Sequence, residues 1–473
     1  MVVVMRLVWL VLPALALVAA GCSSGTKAGG KAREHAVVLT IANHDFGDRD
    51  LAEYIAAVRR LSGGSIRLAL RDDWRPEQVG FDRGTLADVR TGKVDLAKIA
   101  VRSYDQVGID DFQAVMAPFL VDGLALEQKV LESGLPEEML PGVRRLGVEG
   151  LAMLPGELRR PLGLERRLLG PSDYRGSVIG STPGQVSALT FRMLGATPRA
   201  YLTGGLPPWR FDGAELDLRT LDDNQFAAVG HSSVTANVAF WPRVFSVVGN
   251  REVLAKLTSE QREILREAAR QALAPAIERL RLEDSSEAGA LCRRDRLAFV
   301  EATASQLAGL RAAVRPVYAK LEQNPETRAL ITRIREMKRR PSSLEPALRC
   351  LRSLPRQTAA TPLDGTWEMT AGLAQVVAAT HVTREDAQID VGRYRLVLRR
   401  GRVSASVFYS DATSHNSGVF AVRRDTVEFR FPDGEDGIYR WNVYRGTLTL
   451  RYLPGNKKGP PNPTFAPWHR VGP

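Results

Sequence analysis

The sequence predicts an α/β protein of two lobes with long helices after them, followed by a small all-β, barrel-like domain. Three observations predict it. Residues 37–101 alternate strand and helix signals as β-α-β-α-β. The alternation resumes at Val148. Beyond residue 363 the helical periodicity gives way to short alternating strands separated by turn residues.

The first 21 residues read as an export signal. Arg6 supplies a positive charge, Leu7 to Val18 is an apolar run too short to span a membrane comfortably, and small residues precede Cys22 in Val18-Ala19-Ala20-Gly21-Cys22. The arrangement resembles a bacterial lipobox, which implies cleavage before Cys22, lipidation of its thiol and anchoring to the outer side of the cell membrane. Ala19 stands where leucine is commoner. Residues 22–36 form a flexible tether.

In the first lobe, Val37 to Asn43 reads as a buried strand. Leu51, Ile55, Val58 and Leu61 have helical spacing, and Gly63-Gly64 stops that helix. Ser65 to Leu70 alternates as a strand, Thr85 to Arg90 is a short helix, and Val94 to Val101 is a third strand. Further on come a strand at Val148 to Leu154, a strand-turn unit at Tyr174 to Thr182, and a helix at Val186 to Leu194 closed by Gly195. Ser232 to Phe245 reads as extended. Ligand is expected between two such lobes, at the carboxyl ends of the strands.

Residues 258–340 are expected to be mainly helical. Thr258 and Gln261 offer a capping box, and Ile264, Leu265, Ala268 and Ala272 follow as an apolar stripe. Pro275 is expected to kink that helix. Further helical stretches are read from about Glu287 to Leu321 and from Pro325 to Lys338. The two-lobe region spans 37–353, a linker 354–362, and the β domain 363–473. That domain opens with Gly365-Thr366-Trp367 and carries a late Arg470, similar to the lipocalin or calycin pattern in which an arginine packs over the tryptophan ring.

The net charge of +12 is dispersed as arginine along the 473 residues, with no basic block, so a nucleic-acid partner is not expected. Cys292 and Cys350 form an even pair outside the cytoplasm and are read as a disulfide, with two buried thiols as the alternative. The six histidines are scattered, and there is no phosphate-binding glycine loop or close Cys/His set, so no metal or cofactor is expected. Gly230-His231-Ser232-Ser233-Val234 lacks the closing glycine of a nucleophile elbow, which argues against a hydrolase.

A series of short motifs then points to a family. Leu61-Ser62-Gly63-Gly64 is followed by Val89-Arg90-Thr91-Gly92-Lys93-Val94-Asp95 and by Ala117-Pro118-Phe119. Next come Asp173-Tyr174-Arg175-Gly176 with Leu194-Gly195-Ala196-Thr197-Pro198, then Asp212-Gly213-Ala214-Glu215. Leu257-Thr258-Ser259-Glu260-Gln261-Arg262 and Pro316-Val317-Tyr318 close the series. Together, over about 300 residues, they resemble the DctP-like solute-binding proteins of TRAP transporters. The resemblance implies a periplasmic-binding-protein-like fold, no enzymatic activity, a small polar or anionic solute of the organic-acid or sugar-acid class, and membrane permease subunits as partners. It implies that Arg159 clamps the solute's carboxylate and that Asn237 contacts it. A second family arginine is replaced by Gly180, and Gly204 to Phe211 departs from the family's amphipathic helix. By position, Asn43, His44, Thr182 and Gln185 are further cleft candidates, and Trp241 is a candidate to stack on the ligand. A sensor or cell-envelope scaffold that retains the fold is the alternative function.

Overall fold

The computed structural model describes residues 36–45, 47–75, 80–164, 166–200, 211–223, 232–294, 297–339, 348, 357, 359–380, 388, 391–408, 413–431, 437–453, 464 and 466–472. The export segment with Cys22, the tether, Cys350, most of the linker, 204–210 and 230–231 lie outside the described residues.

The first lobe is a five-stranded sheet. β1 (Val37–Ala42), β2 (Ile66–Arg71) and β3 (Leu96–Ala100) run parallel, joined by α1 (Ala52–Leu61) and α2 (Phe81–Arg90). β4 (Val148–Leu154) and β11 (Phe245–Asn250) complete the order β2-β1-β3-β11-β4, with β11 antiparallel to both neighbours. β3 is buried at all five positions, as a central strand covered on both faces must be. Between β3 and β4 run a 3-10 turn (Val101–Val107), a second at Gln113–Met116, α3 (Leu124–Glu132), α4 (Leu135–Met139) and a third turn at Leu140–Leu146.

The second lobe is built around β5 (Leu158–Gly163), which the sequence reading missed. Arg159, Arg160 and Pro161 make it look like a loop, yet all six residues are buried. Then come α5 (Pro171–Tyr174), β6 (Val178–Ser181), α6 (Gln185–Met193), β7 (Thr197–Ala200), β8 (Gly213–Leu216), α7 (Leu218–Asp223), β9 (Ser233–Thr235) and β10 (Trp241–Pro242). The strand order is β12-β9-β5-β8-β6-β7, with β10 paired to β5. The expected extended run 232–245 is therefore two short strands broken by a turn.

After α8 (Arg251–Ala255), the capping box forms as read: Thr258 N–H donates to Gln261 Oε1 at 2.9 Å and Gln261 N–H to Thr258 Oγ1 at 3.1 Å. α9 (Ser259–Arg294) continues through Pro275 for 36 residues. It packs along α1, where Tyr54 donates its hydroxyl to the Leu265 carbonyl at 3.0 Å. No helix among the described residues is long and apolar enough to cross a membrane. The expected helical stretch 287–321 is a correction. β12 (Ala298–Val300) interrupts it, pairs parallel with β9 and edges the second sheet. A three-residue strand is too short to show its period in sequence. α10 (Ala304–Ala313), α11 (Arg315–Leu321) and α12 (Pro325–Arg339) follow.

The C-terminal strands close a barrel. β13 (Gly365–Ala371), β14 (Gly392–Arg399), β15 (Arg402–Phe408), β16 (Thr413–Arg423), β17 (Thr426–Arg430), β18 (Gly437–Tyr444), β19 (Thr447–Leu453) and β20 (Trp468–Gly472) pair in order, and β20 returns to β13. A helix absent from the sequence reading, α13 (Leu373–Thr380), follows β13 and buries Val376 in the barrel core. Arg470 lies 4.5 Å above the Trp367 ring, and the indole N–H donates to the Leu363 carbonyl at 2.8 Å. Gly365 has φ +147°, and a β-carbon there would press on Arg470, which explains the glycine of the G-x-W pattern.

Trp367 thus joins the barrel core to its closing strand. Trp367→Ala should cost about 3–5 kcal/mol of barrel stability, read by urea denaturation with far-UV circular dichroism. A loss under about 1 kcal/mol would contradict this role for the ring.

Candidate functional site

Two antiparallel segments cross side by side between the lobes. One is Pro155-Gly156-Glu157, joining β4 to β5. The other is Arg243-Val244, joining β10 to β11. Arg243 N–H donates to the Glu157 carbonyl and Phe240 N–H to the Arg159 carbonyl, both at 2.8 Å. A β-carbon on residue 156 would collide with the Arg243 carbonyl, so glycine is required for the crossing segments to approach this closely.

Over this floor lies a buried network of charges. Lobe one contributes Asp45 and Asp50, from the loop between β1 and α1, and Lys98 from β3. Lys98 Nζ is 2.6 Å from Asp45 Oδ2 and 2.7 Å from Asp50 Oδ2. Lobe two contributes Arg159 from β5, Glu215 from β8, Asp217 just after β8, and Arg219 from α7. The crossing segments contribute Glu157 and Arg243. Arg159 is 2.5 Å from both Glu215 Oε1 and Asp217 Oδ2. Arg219 reaches across to Asp50 with two nitrogens, at 2.9 and 3.0 Å, and its Nε is 3.1 Å from Glu157. Arg243 lies 3.2 Å from both Asp45 oxygens.

The charges set one another's protonation. Burial pushes the Asp45, Asp50 and Asp217 carboxyls up, but the cations beside them outweigh it and hold all three well below the usual range. Glu157 goes the other way. Burial raises it despite Arg219, with Asp50 and Asp217 adding repulsion; among the described residues its oxygens meet Arg219 as an ion pair but accept no well-aligned hydrogen bond.

The residues singled out from sequence fall into three groups. Arg159, Asn43 and His44 are at the network. Asn43, 1 % exposed, donates from Nδ2 to the Asp45 and Gly47 carbonyls at 2.8 and 2.7 Å, and its buried Oδ1 has no hydrogen-bond partner among the described residues. His44 stacks on Phe81 with ring centroids 3.3 Å apart, and its Nδ1 is 3.2 Å from the Trp74 carbonyl. Burial lowers its pKa despite neighbouring Asp45, so the ring is neutral at neutral pH. Thr182 and Gln185 flank the start of α6, where the loop meets the 3-10 turn of the first lobe. Gln185 N–H donates to Asp105 Oδ2 at 2.7 Å and its side chain to the Asp105 carbonyl. Thr182 accepts from Ser187 Oγ through its carbonyl at 3.3 Å.

Asn237 and Trp241 depart from expectation. Both polar ends of Asn237 are engaged by the Ala302 backbone at 2.8 Å, so it pegs the chain before α10. Trp241 is fully buried against Phe191 and Phe240, and its N–H donates to Glu215 at 3.1 Å; no ring face is left for stacking on a solute. Sequence reasoning missed Lys98, Arg219, Arg243 and their acidic partners. One signal was available: Glu215 and Asp217 are two apart at the end of β8, which aims both charges the same way.

Residues 48–324 match the family described as bacterial extracellular solute-binding protein, family 7, DctP. The chain belongs to that family, whose members bind solutes for transport and are not enzymes. Solved structures agree on the fold. A TRAP periplasmic solute-binding protein from Roseobacter denitrificans with bound β-D-glucuronate is 17% identical, with TM-score 0.55, covering 63% of this chain and 98% of its own. One from Shewanella oneidensis with bound succinate is 16% identical, with TM-score 0.54, covering 63% and 99%. One from Ochrobactrum anthropi, its C-terminus bound in the ligand-binding pocket, is 20% identical, with TM-score 0.54, covering 64% and 97%. No curated protein matches the chain at a significant level.

Asp105 gives the two lobes a pH-sensitive contact. Its carboxylate caps the start of α6 through Gln185 N–H and Val186 N–H at 2.7 and 3.0 Å, yet burial raises its pKa to about 6 against those two donors. The folded value lies above that of an unfolded aspartate. The stability this group contributes is therefore full below about pH 4 and lost as pH rises through about 6. Asp105→Asn should remove that loss, gaining on the order of 2 kcal/mol relative to the native chain between pH 4 and pH 7 in urea titrations. Parallel pH profiles for the two proteins would refute the assignment.

Proposed function

We propose that this chain captures a small polar solute of the organic-acid or sugar-acid class between its lobes and delivers it to the membrane permease of a TRAP-type transporter. The observation that carries the reading is the set of buried guanidinium and ammonium groups, Lys98, Arg159, Arg219 and Arg243, gathered between the two α/β lobes. Arg159, held in orientation by Glu215 and Asp217, orients the solute's carboxylate through its planar fork. The unpartnered Oδ1 of Asn43 accepts from a solute hydroxyl, and neutral His44 lines the same wall. Thr182 and Gln185 border the entrance. Closure is a hinge motion about the two crossing segments, stabilised by contacts from both lobes to the solute.

The test is a thermal-shift and calorimetric titration with galacturonate and succinate. A bound solute raises the melting temperature by mass action. Arg159→Lys keeps a cation for Glu215 and Asp217 but loses the fork, and should weaken binding about tenfold or more. Unchanged affinity in this variant would remove Arg159 from the site.

The anchoring reading belongs to the same proposal. Residues 1–21 direct export, and Cys22 carries the lipid that tethers the mature chain to the membrane. Cys22→Ser should abolish incorporation of labelled palmitate and release the protein from the membrane fraction; persistence of the label would exclude lipidation at this thiol. Cys292 is proposed to bridge to Cys350. In support, Leu348, two residues before Cys350, packs into the same apolar cluster as Leu291, the neighbour of Cys292.

A further inference from the structure

Arg219 is 5 % exposed and stands on the second lobe at the start of α7. It meets Asp50 of the first lobe in a two-pronged pair, Nη1 to Oδ1 at 2.9 Å and Nη2 to Oδ2 at 3.0 Å. This parallel fork is the geometry in which an arginine holds a free carboxylate. Here the carboxylate belongs to the protein itself.

We infer that Arg219 is the second solute-binding cation of this cleft, and that Asp50 occupies it as an internal substitute for the solute's carboxylate, holding the two lobes together when no solute is bound.

The surroundings fit a releasable contact better than a permanent weld. Each partner keeps an opposite charge within its own half when the fork opens. Asp50 remains 2.7 Å from Lys98, which also holds Asp45. Arg219 remains beside Glu157 on the crossing segment, at 3.1 Å. Parting the lobes therefore strands neither charge without a counter-ion, the situation that makes breaking a buried pair so costly. It also lets water reach both groups, which further lowers the cost of separation. A solute carboxylate arriving at Arg219 restores the fork and leaves Asp50 on Lys98. The exchange of one carboxylate for another conserves charge at Arg219, so it needs no proton transfer.

A protein closed on its own carboxylate binds solute more weakly than one that waits open, by the fraction of molecules that are open. Removing the internal competitor should then tighten binding. The affinity arm of the test rests on the proposed organic-acid reading, whereas the closure arm does not.

The experiment compares the full mature chain with Asp50→Asn and Arg219→Gln. Small-angle scattering without solute reports lobe closure, and calorimetry with galacturonate and succinate reports affinity. Asp50→Asn should give a larger radius of gyration than the native chain and bind at least one probe about tenfold or more tightly. Arg219→Gln should also open the solute-free protein, but it should lose affinity. An unchanged radius of gyration in both variants would overturn the inference, as would native affinity in Arg219→Gln. Should Asp50→Asn fail to fold by circular dichroism, Arg219→Gln decides alone, because it leaves Asp50 paired with Lys98. If the variants open but neither probe binds any of the three proteins, the internal contact stands and the proposed solute class falls.

Discussion

The molecule depends on one constraint: charges buried where two polypeptide segments cross between the lobes must neutralise one another. Glu157 and Arg243 sit on those segments, joined to each other, to Arg219 of the second lobe and to Asp45 of the first. The low-polarity setting makes each unpaired charge expensive. It follows that the lobes cannot be positioned independently of these pairs. The same groups that hold the halves in register are those able to recognise a charged solute.

Structure outside the cleft serves this arrangement. α9 runs beside α1 of the first lobe and α7 of the second, so a single rigid rod backs both. Further ion pairs tie it in place: Arg49 with Glu283 and Glu287, Arg279 with Glu53 and Glu283, and Arg160 with Asp284. Burial and the neighbouring Glu283 carboxylate leave Glu287 strongly raised despite Arg49, so this second layer is not a set of simple one-to-one pairs. The barrel meets α9 through β18. Its outward-facing Ala421, Arg430 and Ile438 are buried, whereas other outward positions such as Arg440 and Tyr444 are exposed. A barrel standing free in solvent would have no reason to bury a stripe of its outer face.

Much of the fold was legible in particular residues. The helical spacing of Leu51, Ile55, Val58 and Leu61, the capping pair Thr258 and Gln261, and the alternation from Tyr394 onward each have a local cause that survives in the folded chain. β5 was illegible because its charged residues are neutralised by partners more than 50 residues away, which no local pattern displays. β12 was illegible because three residues cannot show a period.

The candidate site divides in the same way. Sequence by itself determined the two α/β lobes, the closing barrel with its Trp367–Arg470 contact, and the places of Asn43 and His44 just after β1, because these follow from periodicity and from motif order. Only the tertiary structure decided what surrounds them. It gave Arg159 to Glu215 and Asp217, withdrew Trp241 and Asn237 into packing, and brought Asp50 onto Arg219, 169 positions further along the chain. The reason is that electrostatic partnership depends on distance in space, and the crossing of two short segments brings distant parts of the chain within 3 Å of one another.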